Sequence, residues 1–140
     1  MTKEILLAVD GEPPHRDVGL NFCNPHHPQY PQVVRLREAA AEALAEKSDW
    51  DPNEAGWIAL ALTVMQSAPD FTMEEVAAAL GGVADALQAT PVGTDVPGCS
   101  LYRDLQQIRV VRYTVRQLGA SAYSVRLRVL GSPSDRLAPA

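Results

Sequence analysis

Cys23, His26 and His27 are the residues whose types and spacing come nearest to a metal site. Cysteine and histidine are zinc ligands, and Cys23 and His26 have the C-x-x-H spacing of half a structural zinc site. Such sites use two spaced pairs of ligands, and no second pair occurs elsewhere in the chain. We therefore expect a polar, proline-rich loop here, with no metal, and keep these three residues as the metal candidates.

Catalytic patterns are absent from the rest of the sequence. It contains no G-x-x-x-x-G-K-[ST] phosphate loop and no G-x-S-x-G nucleophile motif. The acidic residues are scattered over predicted helix surfaces, where solvation is their usual role. A Cys–His dyad needs a base placed by the fold, which a sequence cannot show. We predict a protein that is not an enzyme and needs no cofactor.

Arginines near the C-terminal end form the clearest pattern in the chain. Between residues 109 and 130 apolar residues alternate with polar ones, so the two sets fall on opposite faces of a strand. Arg109 opens the segment, and Gly119 lies between its two halves. We predict a β-hairpin with one apolar face and one arginine face, and the arginine face is the candidate partner-binding site. Its residues are Arg112, Arg116, Arg126 and Arg128, with Arg109 beside them.

The charge of the chain is divided unevenly, which bears on the partner of this face. Residues 1–98 hold five basic and fifteen acidic side chains, whereas residues 99–140 hold seven arginines and two aspartates. The overall charge is −5. An acidic body makes a general phosphate binder less favourable than a protein partner with an acidic surface. Three alternatives stay open: a nucleic acid, a solvated sheet face without a partner, or the chain's own acidic helices with Glu38, Glu42 and Glu46.

One segment favours the nucleic-acid alternative. Glu75-Val76-Ala77-Ala78-Ala79-Leu80-Gly81 resembles the first helix and turn of the helix-turn-helix DNA-binding motif, with Ala77 at the tight helix contact. The resemblance implies a recognition helix over 83–90 and a wing formed by the hairpin. That helix has no Arg, Lys or Asn to read bases and carries Asp85. The other interpretation is an ordinary core helix with a glycine break.

The elements that must position these residues begin with a short strand over 5–9 and a proline-rich arm over 11–30. A first helix is predicted from Pro31 to about Lys47. A central, buried helix is predicted to begin at Asp51, which can cap it, with Pro52 at its first position, and to stop before Pro69.

A third helix is expected after Thr72, which stands in capping-box spacing with Glu75, and a short helix over 100–107. The predicted fold is α+β, a three-helix body on a small antiparallel sheet, with a winged-helix-like arrangement as the finer expectation. We divide the chain into residues 1–30 (strand and arm), 31–131 (body and hairpin, one domain with the arm) and 132–140 (flexible tail).

These observations predict a small, non-enzymatic interaction module with a regulatory or assembly role. It acts through the arginine face and the proline-rich arm. The alternative function is a winged-helix-like transcriptional regulator. No apolar run is long enough for a membrane span, and the N-terminal residues lack the basic start of a signal peptide. We expect a cytoplasmic protein without a membrane partner, and an open strand edge also allows a homodimer.

Overall fold

Two α-helices and one four-stranded sheet make up the part of the chain that the computed structural model describes. It describes residues 3–16, 26–46, 50, 56–66, 72–87, 101–102, 105–117 and 121–131. The elements in chain order are β1 (Glu4–Asp10), α1 (Tyr30–Glu46), β2 (Trp57–Gln66), α2 (Met73–Leu87), a 3-10 turn (Leu105–Gln107), β3 (Ile108–Gln117) and β4 (Ala122–Gly131). The α+β class is therefore confirmed, with two helices in place of three.

The sheet is mixed and has the strand order β1-β4-β2-β3. β4 is antiparallel to both of its neighbours, β1 and β2, whereas β2 and β3 are parallel. The two C-terminal strands of the expected hairpin are present and run in opposite directions. However, the two strands do not pair directly as predicted. β2 lies between them and forms backbone hydrogen bonds with both. The predicted strand over 5–9 is confirmed as β1 and joins the sheet at β4.

The predicted central helix, from Asp51 to before Pro69, is wrong, because Trp57–Gln66 forms β2. Its buried side chains are the alternate ones, Ile58, Leu60, Leu62 and Val64. The residues between them are small. The continuous apolar run, which suggested a helix, therefore places its large residues on one face of a strand and its small residues on the other. β2 is an interior strand, and interior strands tolerate such nearly continuous apolar runs. The expected cap at Asp51 lies outside the described residues.

Helix α1 confirms the first predicted helix and packs one face into the core. Val33, Leu36 and Ala40 are buried at helical spacing. Arg37 is also buried, and its Nη1 donates a hydrogen bond of 2.6 Å to the carbonyl oxygen of Ala86 in the last turn of α2. A cation at this position satisfies a terminal carbonyl and lies at the negative end of the helix dipole. The guanidinium thus joins the two helices over the sheet.

Helix α2 runs without interruption from Met73 to Leu87, so of the two alternatives left open for Gly81-Gly82, one continuous helix or a turn between two, the structure has the continuous helix. Its start was predicted correctly, since Thr72 Oγ1 accepts a hydrogen bond from the backbone N–H of Glu75 at 3.1 Å. The two glycines serve close packing, because a Cβ at Gly82 would overlap the carbonyl oxygen of Pro14. The winged-helix resemblance is not confirmed.

The first residues of the proline-rich arm pack against α2 within the chain itself. Pro13 and Pro14 are buried, and the backbone N–H of Arg16 donates to the carbonyl oxygen of Ala78 at 2.9 Å. The Arg16 guanidinium then makes two hydrogen bonds of 2.8 Å to the Asp85 carboxylate. This interaction with Asp85 raises the pKa of Arg16. The two described ends of the arm are in contact, because the side-chain amide of Gln29 donates to the carbonyl oxygen of His15 at 2.8 Å.

Both helices lie on one face of the sheet, and the core fills the space between the two layers. Helix α1 contributes Val33, Leu36 and Ala40, and helix α2 contributes its buried residues Ala79, Val83, Ala86 and Leu87. The strands contribute a second set of buried side chains. The latter are Ile5, Leu7, Val9, Ile58, Leu60, Leu62, Val64, Tyr123, Val125 and Leu127. Burial raises the pKa of the Tyr123 phenol. Neither helix of the described chain has the length and apolar character that a membrane crossing requires.

The segment before β3 is less helical than expected. Of the helix predicted over 100–107, the structure has the 3-10 turn Leu105–Gln107. Leu101 and Tyr102 are buried in the core, and the Leu101 carbonyl oxygen accepts a hydrogen bond of 2.8 Å from Trp50 Nε1. The predicted tail over 132–140 lies outside the described residues.

Replacing Leu60 by Ala tests the placement of β2 as the central strand. Leu60 is 1% exposed, so its truncation should lower the free energy of unfolding by about 2–4 kcal/mol. The matched control is Leu6→Ala in β1, where the same side chain is 55% exposed and should cost less than about 1 kcal/mol. Urea denaturation monitored by tryptophan fluorescence measures both, and equal costs would contradict the strand assignment.

The two adjacent glycines of α2 should respond differently to alanine. Alanine gains about 1 kcal/mol of helix propensity at either position. At Gly82 the added Cβ overlaps the Pro14 backbone, so Gly82→Ala should destabilise the protein by about 1–3 kcal/mol. At Gly81 the Cβ comes within 2.8 Å of the Arg16 side chain, which can move aside.

Gly81→Ala should therefore change the stability by less than about 1 kcal/mol. Thermal and urea unfolding of the two variants measure the difference. Similar effects at both positions would show that the arm is not packed against α2 in solution.

Candidate binding face

The face of the sheet opposite the helices, called the open face below, carries every second residue of the four strands. Strand alternation places these residues opposite the buried set. The pairing registers align them in four rows across the sheet. The rows are Glu4-Arg128-Ala59-Val110, Leu6-Arg126-Ala61-Arg112, Ala8-Ser124-Thr63-Thr114 and Asp10-Ala122-Met65-Arg116.

All four arginines of the predicted arginine face lie on the open face and are exposed. Arg112 and Arg126 share one row with Ala61 between them, so their Cα atoms are about 10 Å apart at ordinary strand spacing. Arg128 lies in the neighbouring row. Arg116 lies two rows beyond Arg112 in the opposite direction. The fold thus groups three arginines and leaves the fourth at one end.

A shallow groove lies between the three grouped arginines. Ala59 and Ala61 of β2 form its floor, with Arg112 on the β3 side and Arg126 and Arg128 on the β4 side. Its volume is about 190 Å³. The floor is low because alanine carries a single methyl group. Guanidiniums on both walls can each bind a carboxylate or phosphate oxygen pair in bidentate geometry.

Two acids, both on β1, share the open face with the arginines. Glu4 lies beside Arg126, with 3.4 Å between Oε1 and Nε. Asp10 ends the same strand in the row of Arg116. Within the described part of the chain, no carboxylate pairs with Arg112, Arg116 or Arg128. The face therefore keeps a net positive charge while its β1 edge is acidic.

The acidic helix does not neutralise the arginines. Glu38, Glu42 and Glu46 lie on α1, which packs against the other face of the sheet, and all three are exposed. The interpretation that the arginine face is covered by these residues is therefore wrong. The reason is strand alternation, because the buried side chains of β4 face the helices and the arginines between them point to the opposite face.

Arg109 differs from the other arginines, since it lies over an aromatic ring. Its Cζ is 4.7 Å from the ring centroid of Trp57, a cation–π distance. The register of β2 and β3 shifts at this point, where Ile58 pairs with Ile108 and Ala59 with Val110. The irregularity leaves Arg109 outside the rows, so the structure does not bring it into the groove.

Apolar side chains are also present on the open face. Leu6 is 55% exposed and Val110 is 46% exposed, and both lie in the rows that border the groove. On the covered side Tyr113 is half-buried, and the pKa of its phenol is raised by burial and by the nearby Glu75 of α2. α2 therefore comes close to β3 around Tyr113.

The metal candidates are not brought together in the described residues. The ring nitrogen Nδ1 of the buried His27 accepts a hydrogen bond of 3.0 Å from the backbone N–H of Gln29. His26 is exposed, and Cys23 lies outside the described residues. The described ranges contain no group of three or more His, Cys, Asp or Glu side chains that could hold a metal ion.

The small residues of β2 and the acid beside Arg126 were not predicted from the sequence. Ala59, Ala61 and Thr63 alternate with large buried residues, and this period of two was a usable signal for a strand with one small-residue face. Glu4 gave no local signal, because its neighbour Arg126 is far away in sequence. No protein family matches the chain, and no curated protein matches it at a significant level.

Loss of the Glu4 carboxylate should have little effect on stability. Glu4 and Arg126 are both largely exposed, and exposed ion pairs contribute between zero and about 1 kcal/mol. Glu4→Gln should therefore change the free energy of unfolding by less than about 0.5 kcal/mol in urea denaturation.

Asp85→Asn is the matched loss of a carboxylate in a different geometry. Asp85 receives two hydrogen bonds of 2.8 Å from Arg16 and holds the arm on α2. Its loss should cost about 1 kcal/mol. A larger cost for Glu4→Gln than for Asp85→Asn would contradict the described geometry of both pairs.

Proposed function

We propose that the protein is a non-enzymatic interaction module that binds the acidic surface of a protein partner through the open face. The single observation that carries the proposal is the groove, in which Arg112, Arg126 and Arg128 surround a floor of alanines on a face that neither described helix covers. A regulatory or assembly role in the cytoplasm belongs to the same proposal.

The mixed character of the face supports a protein partner. Exposed Leu6 and Val110 border the groove, and apolar residues together with arginine are typical of the central part of protein interfaces. Glu4 and Asp10 add negative charge at one edge, which suits a partner of complementary pattern and opposes a uniform row of phosphates. The overall charge of −5 also disfavours a general phosphate binder.

Nucleic acid is the second candidate, and the position of the arginines supports it. Three guanidiniums at strand spacing could contact successive phosphates of one strand. The helix-turn-helix interpretation adds no support, since α2 is one helix, with Glu74, Glu75 and Asp85 and without a basic residue. The proline-rich arm is not needed for either candidate, because its residues Pro14, His15 and Arg16 lie against α2.

Fluorescence anisotropy with two labelled probes tests the proposal. One probe is a disordered peptide in which glutamate alternates with serine, and the other is a generic DNA duplex, each titrated over a salt series. We expect binding of the peptide and none of the duplex. Arg112→Ala, Arg126→Ala and Arg128→Ala should each weaken peptide binding about tenfold, because each removes a charge-assisted hydrogen bond.

Arg35→Ala is the matched control, since Arg35 is an exposed arginine on α1 in the helical layer. This variant should bind the peptide as the natural chain does. Duplex binding that weakens steeply with salt and depends on the same three arginines would replace the proposal by the nucleic-acid candidate. Absence of binding to both probes at low salt would overturn both candidates.

A further inference from the structure

Strand β3 forms one edge of the sheet, and its first half is exposed on both sides. Arg109, Val110, Val111 and Arg112 are consecutive and all exposed, with Val111 at 56%. Consecutive residues of a strand point to opposite faces. Val110 and Arg112 are exposed on the open face, and Val111 is exposed on the face where the helices lie. Therefore α2 does not cover this part of the edge.

The backbone of this edge offers hydrogen bonds to a further strand. β3 pairs with β2 on one side, and no described strand pairs with its other side. In a parallel ladder, alternate N–H and C=O groups turn away from the neighbouring strand. β3 is ten residues long and contains no proline, so a row of outward donors and acceptors runs along it. Natural proteins usually protect such an edge or use it to bind an extended segment.

The charges of the two sheet edges are opposite. β3 carries Arg112 and Arg116 on the open face, whereas β1, the other edge, begins with Glu4 and ends with Asp10. An acidic segment would be attracted to the β3 edge and repelled from the β1 edge. Antiparallel pairing of β3 with a second β3 would place arginines of both copies on one face, and like charges across strands are destabilising.

The geometry points to strand addition: β3 accepts an extended, acidic segment of the partner as a fifth strand of the sheet. This inference rests on the proposed function and extends the binding site from the groove to the adjacent edge of the sheet, with Arg112 common to both. The segment carries acids at alternate positions, which lie beside Arg112 and Arg116. Between them it carries β-branched apolar residues, which cover Val111 and Val115 on the other side. Main-chain hydrogen bonds supply affinity, and the side-chain alternation supplies specificity.

Backbone methylation of the peptide distinguishes strand addition from simple charge attraction. The probe is a labelled peptide in which glutamate alternates with valine and threonine. Two derivatives carry N-methyl groups at alternate residues, one on the glutamates and the other on the residues between them. All three peptides have the same charge and nearly the same side chains. An added strand turns only one set of its N–H groups toward β3.

We expect one methylated peptide to bind at least about tenfold more weakly than the parent, while the other retains its affinity. Equal binding by both derivatives would overturn strand addition and leave the proposed function standing. Absence of binding by the unmethylated parent, when the glutamate–serine peptide binds, would also overturn strand addition, whereas absence of binding by both acidic peptides would contradict the proposed function itself. Concentration-dependent dimerisation that the peptide does not reverse would overturn the inference and assign the edge to a second copy.

A charge-swapped variant guards against misfolding. Arg112→Glu combined with Arg116→Glu should lose the acidic peptide and gain binding of the same peptide with lysine in place of glutamate. Reversed selectivity requires a folded chain and places the peptide beside these two residues. A variant that remains folded by circular dichroism and still prefers the acidic peptide would contradict the assignment to β3.

Discussion

The division of β2 into a large-residue face and a small-residue face is the constraint on which the rest of the structure depends. Ile58, Leu60, Leu62 and Val64 point into the core, and each is almost fully buried. Ala59, Ala61 and Thr63 point the other way, and Ala61 lies directly between Arg112 of β3 and Arg126 of β4. Large residues at these positions would fill the groove. One strand therefore builds the hydrophobic core and also sets the depth of the candidate site.

The open face stays open because the helices are held on the other side of the sheet. Arg37 connects α1 to the last turn of α2, and the arm lies on α2 where glycine allows backbone contact. A buried arginine is costly to remove, since its partner carbonyl would be left without a donor. These contacts leave the arginines of the sheet without a described acidic neighbour, apart from Glu4. The exposure of the arginines on the open face thus follows from the contacts that hold both helices on the opposite face.

The sequence predicted elements whose signals are local and failed where the decisive contact is distant. Thr72 and Glu75 predicted the start of α2, and the alternation after Arg109 predicted two strands with an arginine face. By contrast, Asp51 and Pro52 suggested a helix, and the alanines of β2 made its apolar run look helical. Burial on one face by α1 and α2 overrode that preference, as tertiary packing often does.

Strand order was beyond local patterns for the same reason. β3 and β4 are close neighbours in sequence, yet each pairs with β2, and only long-range packing can select that arrangement over a direct hairpin. The groove could not be predicted from local patterns either, because its floor and walls come from three different strands. The arginines could be predicted as a set, whereas their spacing around Ala61 could not.

The preference for arginine on this face fits the shape of the groove. Ten of the twelve basic residues in the chain are arginines, and the guanidinium is planar and presents its donors in a fixed fork. On a flat floor of methyl groups, such forks can meet carboxylates side-on from both walls. A flexible ammonium would supply the same charge without that orientation. Since residues 1–98 have a net negative charge, the arginines of this face favour approach of an acidic partner along it.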